Sequence, residues 1–325
     1  MHFTLLVAGA LLPSELAAAL TGSLNAPHLQ ARLSKATELG RAVASPTGAA
    51  HLDWLAMNLF GRPAPVPTAP YAHARLAGGP ATAYVWHADP VHIEVARDHV
   101  LVQSLGPDPL NQEESARLLA VANECAAASD CEFVTASEHW FLLSESEWQI
   151  DARPLSAVID GTVEIPAGRD AQIWNRLHND IQMAWHAHDV NAKREAKGLR
   201  TINAVWLHGG GRWKALAQIE FAQVHSDAPE WQGIAQAAGA LGLPASAPLA
   251  HTALVVSDDA WAAKRRDDWS GWLQAMNVKD RALLDYPAAT IDLVLCGDSH
   301  RTFRVRPSDR YKPWRRRTLT QALTE

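Results

Sequence analysis

The amino-acid sequence predicts an α/β protein with a central sheet flanked by helices and a smaller α+β insertion. Three observations carry that reading. The chain opens on an apolar run from Phe3 to Leu12, with the length and composition of a buried strand. Apolar runs at His251 to Ser257 and Thr290 to Cys296 flank a helical stretch from about Asp259 to Met276, the strand, helix, strand order of an α/β sheet. Between these ends, from Ala81 onward, short β runs alternate with helices in the manner of a separate α+β region.

In chain order, residues 1–60 read as the first strand and alanine- and leucine-rich helices of the α/β core, with a break at Pro46, Thr47 and Gly48. Residues 61–80 form a linker, because prolines at 63, 65, 67 and 70 favour extended chain. Residues 81–212 form the α+β region. Its expected strands are Thr82 to His87, Val91 to Ala96, Val100 to Ser104, Glu132 to Thr135 and His139 to Leu143, with a helix from Asn111 to Ala128. Pro166, Ala167 and Gly168 mark the turn into a polar-striped helix. Residues 213–325 return to the α/β core. They hold a strand from Leu216 to His225, a helix from Glu230 to Gly242, the strand, helix, strand unit already named, and a basic tail.

A chain of 325 residues with 48% hydrophobic content buries one large core or two modest ones, which excludes disordered, fibrous and membrane-spanning classes. The apolar start lacks a basic n-region and runs into Pro13, Ser14 and Glu15, so it reads as a strand rather than a signal peptide. Cys125, Cys131 and Cys296 give no disulfide framework, and a reducing cytoplasm is expected. The tail from Arg301 to Arg317 sets eight basic residues against Asp309. That local +7 leaves −13 on the rest of a chain whose net charge is −6. Such a tail docks on its own acidic body or recruits an acidic protein partner. Tyr311 and Trp314 interleave with the basic residues, but the motif is too short to specify nucleic acid.

The densest set of recognition-type side chains lies between Trp174 and Arg212. Asn175, Asn179, Gln182 and His186 form a polar stripe on one helix face, opposite Ile173, Leu177, Ile181 and Trp185. His186 and His188 are two residues apart and point about 200° away from each other on a helix, so capping and core hydrogen bonding suit them better than metal ligation. Gly209, Gly210 and Gly211, with Arg212 beside them, allow two readings. One is a nest of backbone N–H groups for an anion, assisted by Arg194 and Arg200; the other is a glycine hairpin or bulge after a strand. No nucleophile elbow or CxxC motif occurs. Asp258, Asp259, Asp267 and Asp268 read as solvated helix-start and helix-surface carboxylates.

The stretch H-A-H-D-V-N-A-K-R-E-A-K-G-L-R-T-I-N-A-V-W-L-H-G-G-G, from His186 to Gly211, resembles the bacterial RpfE-type regulatory proteins, a likeness that runs through most of the chain. More distantly, residues 150 to 245 resemble archaeal-type cofactor-independent phosphoglycerate mutases, with Asp189 and His208 departing from the mutase run. The resemblance implies an alkaline-phosphatase-like sheet and two divalent metals, manganese or zinc, held by Asp and His. Here Phe3 to Ala8 runs instead into Gly9, Ala10, Leu11, Leu12 and Pro13, with no carboxylate, and Asp298, Ser299 and His300 do not match the later ligands. The matching residues are His188, Asn191, Arg194, Asn203, Trp206, Gly209 and Gly211, which the resemblance implies shape a pocket.

The expectation is a metal-free, catalytically degenerate phosphoglycerate-mutase-like regulatory protein, with no cofactor, binding a small anionic metabolite through His186, His188, Asn191, Arg194, Asn203, Trp206, Gly209, Gly210, Gly211 and Arg212. An active mutase or phosphatase is the alternative, distinguished by metal-dependent turnover. An interaction module working through its basic tail is another, distinguished by loss of binding when residues 301 to 317 are deleted.

Overall fold

The structure is a computed structural model that describes residues 2–325, apart from 43, 44, 46, 47, 96–99, 106–108, 164, 165, 251, 287, 313 and 315. Among the described residues thirteen strands run in chain order: β1 His2–Val7, β2 Thr37–Arg41, β3 Tyr84–Val95, β4 Val100–Gln103, β5 Cys131–Ala136, β6 His139–Ser144, β7 Gly161–Val163, β8 Ala204–Gly211, β9 Gln223–His225, β10 Leu241–Leu243, β11 Ala253–Ser257, β12 Thr290–Cys296 and β13 His300–Val305. The chain divides into two compact units, Met1–Ala64 with Ala215–Glu325, and Pro65–Lys214.

The first unit is built on a seven-stranded sheet in the order β10-β9-β11-β1-β12-β13-β2. β1 pairs in parallel with both β11 and β12, and β9 in parallel with β10 and β11, whereas β13 runs antiparallel to β12 and β2. Central β1 is apolar because it is covered on both faces; Phe3, Leu5, Leu6 and Val7 are all buried. Helices Ser14–Thr21, Pro27–Lys35 and Trp269–Ala282 supply Ala17, Leu29, Leu33, Trp272 and Met276 to one cluster with Leu5, Val7, Leu293 and Leu295. At one edge lies β2, a short strand carrying Glu38 and Arg41, whose partner β13 shifts register between Thr302 and Phe303.

The second unit is antiparallel, with strand order β5-β6-β3-β4-β7 and β8 paired to β3. Its core is rich in tryptophan: Trp86, Trp140, Trp148, Trp174 and Trp185 pack with Leu118, Phe133 and Ile181. Two of these indoles donate inside the unit, Trp185 to the Leu118 carbonyl at 3.1 Å and Trp140 to Ser115 Oγ at 2.9 Å.

Several elements differ from expectation. The first strand stops at Val7, because Gly9 takes φ +77° and turns the chain. Helix Ala69–Ala77 forms inside the proline-rich linker, since Pro70 falls in its first turn, where no N–H is needed. The runs from Tyr84 and Val91 are one strand; Pro90 falls where β3 changes partner from β6 to β4, so it interrupts no continuous ladder on that edge. Between Leu216 and His225 only Gln223–His225 finds strand partners. Helix Pro229–Ala237 ends before Gly242, which enters β10. The helix after β11 breaks into Asp259–Arg265 and Trp269–Ala282, because Asp267 turns at φ +52° and Asp268 caps the second piece by accepting from Gly271 N–H at 2.8 Å. Pro46, Thr47, Ala96, His251 and Arg315, all used in the sequence reading, lie outside the described residues.

Candidate functional site

The helix Ala171–His186 buries Trp174, Leu177, Ile181 and Trp185, so Trp174 rather than Ile173 begins the apolar face. His186 is exposed at its end. His188 caps the next helix, Asp189–Ala196, by accepting from Val190 N–H on Nδ1 at 3.2 Å. Asn191 lies in that helix and staples the turn beyond it. Its amide donates to the carbonyls of Trp185 and Ile202, both at 2.8 Å, and accepts from Ile202 N–H at 2.8 Å.

Arg194 is 1% exposed, and its guanidinium donates to the Arg200 carbonyl at 2.7 Å and to Glu114 at 3.0 Å. Arg200 donates to the Ser104 carbonyl at 2.8 Å. Asn203 pairs with both backbone groups of Ile93, and Trp206 donates to the Arg153 carbonyl at 2.9 Å. Arg212 grips the carbonyls of Thr82 at 2.6 Å and Glu145 at 2.7 Å.

The three glycines complete β8 as a bulged strand end, the second of the two readings. Val85 pairs with Gly211 but His87 with His208, so β8 carries one extra residue there. Gly209 takes φ +61° to absorb it, while a side chain at Gly210 would overlap the Trp86 ring and one at Gly211 would overlap Pro67. Asn203 lies just before β8 and Gly211 ends it, eight residues on and about 26 Å away at ordinary strand rise. The ten residues therefore do not all face one point; Asn191, Arg194, Asn203 and Trp206 tie a helix, a turn and a strand to their neighbours.

Beside the bulge lies a cluster that sequence reasoning missed apart from His208. His208 Nε2 meets Asp89 Oδ2 at 2.8 Å, and its ring stacks on His87 with centroids 4.6 Å apart. Burial pushes His87 down to about 3, with His208 adding to the effect. Burial alone would raise Asp89, but the His208 hydrogen bond and neighbouring imidazoles hold it below the usual carboxylate range. The set is an ionised carboxylate orienting one imidazole beside a second that stays neutral. The signal available in the sequence was the H-A-D run inside a strand, at period two.

In the first unit, the carboxyl ends of the parallel strands are where open α/β sheets hold ligands. Asp227, Asp258 and Asp298 follow β9, β11 and β12 there. Burial, joined by the charges of Asp259 and Asp227, raises Asp258. Among the described residues, no three His, Cys, Asp or Glu side chains converge as a metal-ligand set. The end of β1 itself is filled by protein. A side chain at Gly9 would overlap the backbone of Trp261, and Trp272 donates to the Gly9 carbonyl at 2.8 Å. Leu11 and Leu12 are fully buried; Leu12 N–H donates to the Leu323 carbonyl at 2.9 Å and Glu325 N–H to the Leu12 carbonyl at 3.0 Å. Lys264 Nζ closes the seal, donating to Glu325 Oε1 at 2.9 Å and to the Leu11 carbonyl at 3.2 Å.

Fold and site together define an α/β protein with a mixed seven-stranded sheet, sealed at the end of its central strand, and an antiparallel unit inserted in sequence. No protein-family model matches the chain, and no curated protein matches it in sequence. Among solved structures it is similar to the PH0037 protein from Pyrococcus horikoshii, with a TM-score of 0.55 and 12% identity over 95% of this chain and 89% of that one. That likeness is one of fold. The cofactor-independent phosphoglycerate mutase from Thermoplasma acidophilum matches with a TM-score of 0.42 and 14% identity over 94% of this chain and 89% of that one. No helix among the described residues is long and apolar enough to cross a membrane.

Proposed function

We propose that this protein is a non-catalytic, phosphoglycerate-mutase-like regulatory protein that binds a small phosphorylated or carboxylated metabolite. One observation carries the non-catalytic part: the end of β1 is occupied by the fully buried Leu11 and Leu12. Two-metal phosphoryl transfer needs carboxylates and open coordination sites to activate a nucleophile and neutralise phosphate. A strand end closed by leucines offers neither. The resemblance of residues 150 to 245 to the archaeal-type mutases supports the ligand class.

The test is turnover of phosphoglycerate by purified protein supplied with manganese, zinc or cobalt, beside a thermal-shift titration of the metal-stripped protein with phosphoglycerate. No turnover, with stabilisation by phosphoglycerate alone, is the expected result. Metal-dependent turnover would establish the alternative, an active mutase or phosphatase.

The basic tail supports self-docking over recruitment. Arg301 is buried and bidentate to Glu38, Arg304 is bidentate to Asp292, and Arg317 reaches Glu38 at 3.0 Å. Lys312 pairs with Asp309.

A further inference from the structure

We propose that the Lys264 ammonium and the Asp298 backbone N–H form an anion-binding subsite at the carboxyl end of β12, occupied in cis by the Glu325 carboxylate. It names the place where the proposed metabolite binds, and so rests on the non-catalytic reading above. Glu325 Oε1 accepts from Lys264 Nζ at 2.9 Å and from Asp298 N–H at 3.0 Å, a cation and an amide converging on one oxygen. That is how a phosphate or ligand carboxylate is held. The oxygen rests against Gly297, where any side chain would overlap it, so the absence of a Cβ is what lets a carboxylate oxygen reach the loop.

Two polar atoms in the same neighbourhood are buried and unpartnered: Ser299 Oγ, in the loop, and His51 Nδ1. Ser299 is 6% and His51 4% exposed. The Ser299 carbonyl accepts from Gly297 N–H at 2.8 Å, and the Gly297 carbonyl from Ala50 N–H at 3.2 Å, so loop and helix start are joined.

The segment carrying Glu325 is anchored independently of that side chain. Helix Leu319–Leu323 buries Leu319, Ala322 and Leu323, and Arg301 Nη1 donates to the carbonyls of Gln321 at 2.6 Å and Thr324 at 3.0 Å. The group that yields to a ligand is therefore the Glu325 side chain, by rotation away from Lys264, whose ammonium the Asp298 carboxylate also approaches at 3.6 Å. Bound in cis, it lowers the apparent affinity for any competing anion by the fraction of time it occupies the subsite.

Inorganic phosphate is the probe, titrated by calorimetry and thermal shift into the metal-stripped full chain. Glu325→Ala should bind phosphate about ten-fold more tightly than the unsubstituted protein. Glu325→Gln, which keeps the shape and removes the charge, should gain in the same direction, and Glu325→Ala combined with Lys264→Ala should lose the gain. An unchanged phosphate affinity in both folded Glu325 variants would overturn the subsite, as would a gain that survives the loss of Lys264. Turnover of phosphoglycerate by the unsubstituted protein would instead overturn the non-catalytic reading and leave the phosphate result to be judged separately.

Discussion

Arg194 shows what a buried charge does in a turn that has to be held in one shape. Its guanidinium joins the helix Asp189–Ala196 to the Arg200 carbonyl and to Glu114, whose side chain is 16% exposed. Arg194→Met keeps the volume and removes the cation from that carboxylate, leaving it the Asn111 N–H of its capping box, so a loss of about 1–3 kcal/mol is expected in urea unfolding, partly recovered when Glu114→Gln is added. A loss below about 1 kcal/mol would show that the pair is not structural. The histidines act in another way. Burial holds His51 and His87 down to about 3 and His178 to about 4. Each is neutral when folded and takes up a proton near 6.5 when unfolded, so the stability it contributes is whole above that pH and is lost as pH falls toward the folded value. The thermal midpoint should drop between pH 6.5 and 4, at up to about 1.4 kcal/mol per pH unit for each such histidine. His87→Phe should flatten the profile. A profile equally steep in that variant would remove His87 from the account.

The glycines of β8 make a prediction at the level of the element. Gly210→Ala meets the Trp86 ring and Gly211→Ala meets Pro67, each costing about 1–3 kcal/mol. Gly22→Ala sits at φ −65° with open space around it and should stabilise by about 0.4–1 kcal/mol. Comparable midpoints for all three variants would mean that close packing at the bulge does not limit stability. Elements whose signals are local were legible beforehand. The helix from Gln112 is announced by Asn111 and Glu114, which form a complete capping box, and β12 runs from Thr290 to Cys296 as its apolar run indicated. β13 was not legible. In H-R-T-F-R-V the buried positions are Arg301, Phe303 and Val305, and an arginine reads as buried only once its partner Glu38 is known. The sealed edge was hidden for the same reason, because Lys264 and Glu325 meet across 61 residues of sequence. Asn191, Asn203 and Arg212 were visible as polar residues, but the backbone groups they engage were not.

At the scale of the molecule, the two units differ in how far along the chain their strands look for partners. β5 and β6 are neighbours in sequence, and pairs such as Ala136 with His139 close a tight hairpin. β1 pairs Phe3 with Ala253 and Ile291, so the first unit's central strand joins its sheet only after some 250 residues are brought together. Pulse-labelled hydrogen exchange during refolding should protect β5 and β6 amides before those of β1 and β11, since long loops are closed at an entropic cost before their contacts form. Protection of β1 first would contradict this order. The borders of the seven-stranded sheet have a further consequence. One border is β10, only three residues long. The other is β2, short, carrying Glu38 and Arg41, beside a register shift. Strands that end so soon, or are charged and kinked, are poor templates for another chain, so the central hydrophobic strands are kept from seeding aggregates by borders that cannot be extended.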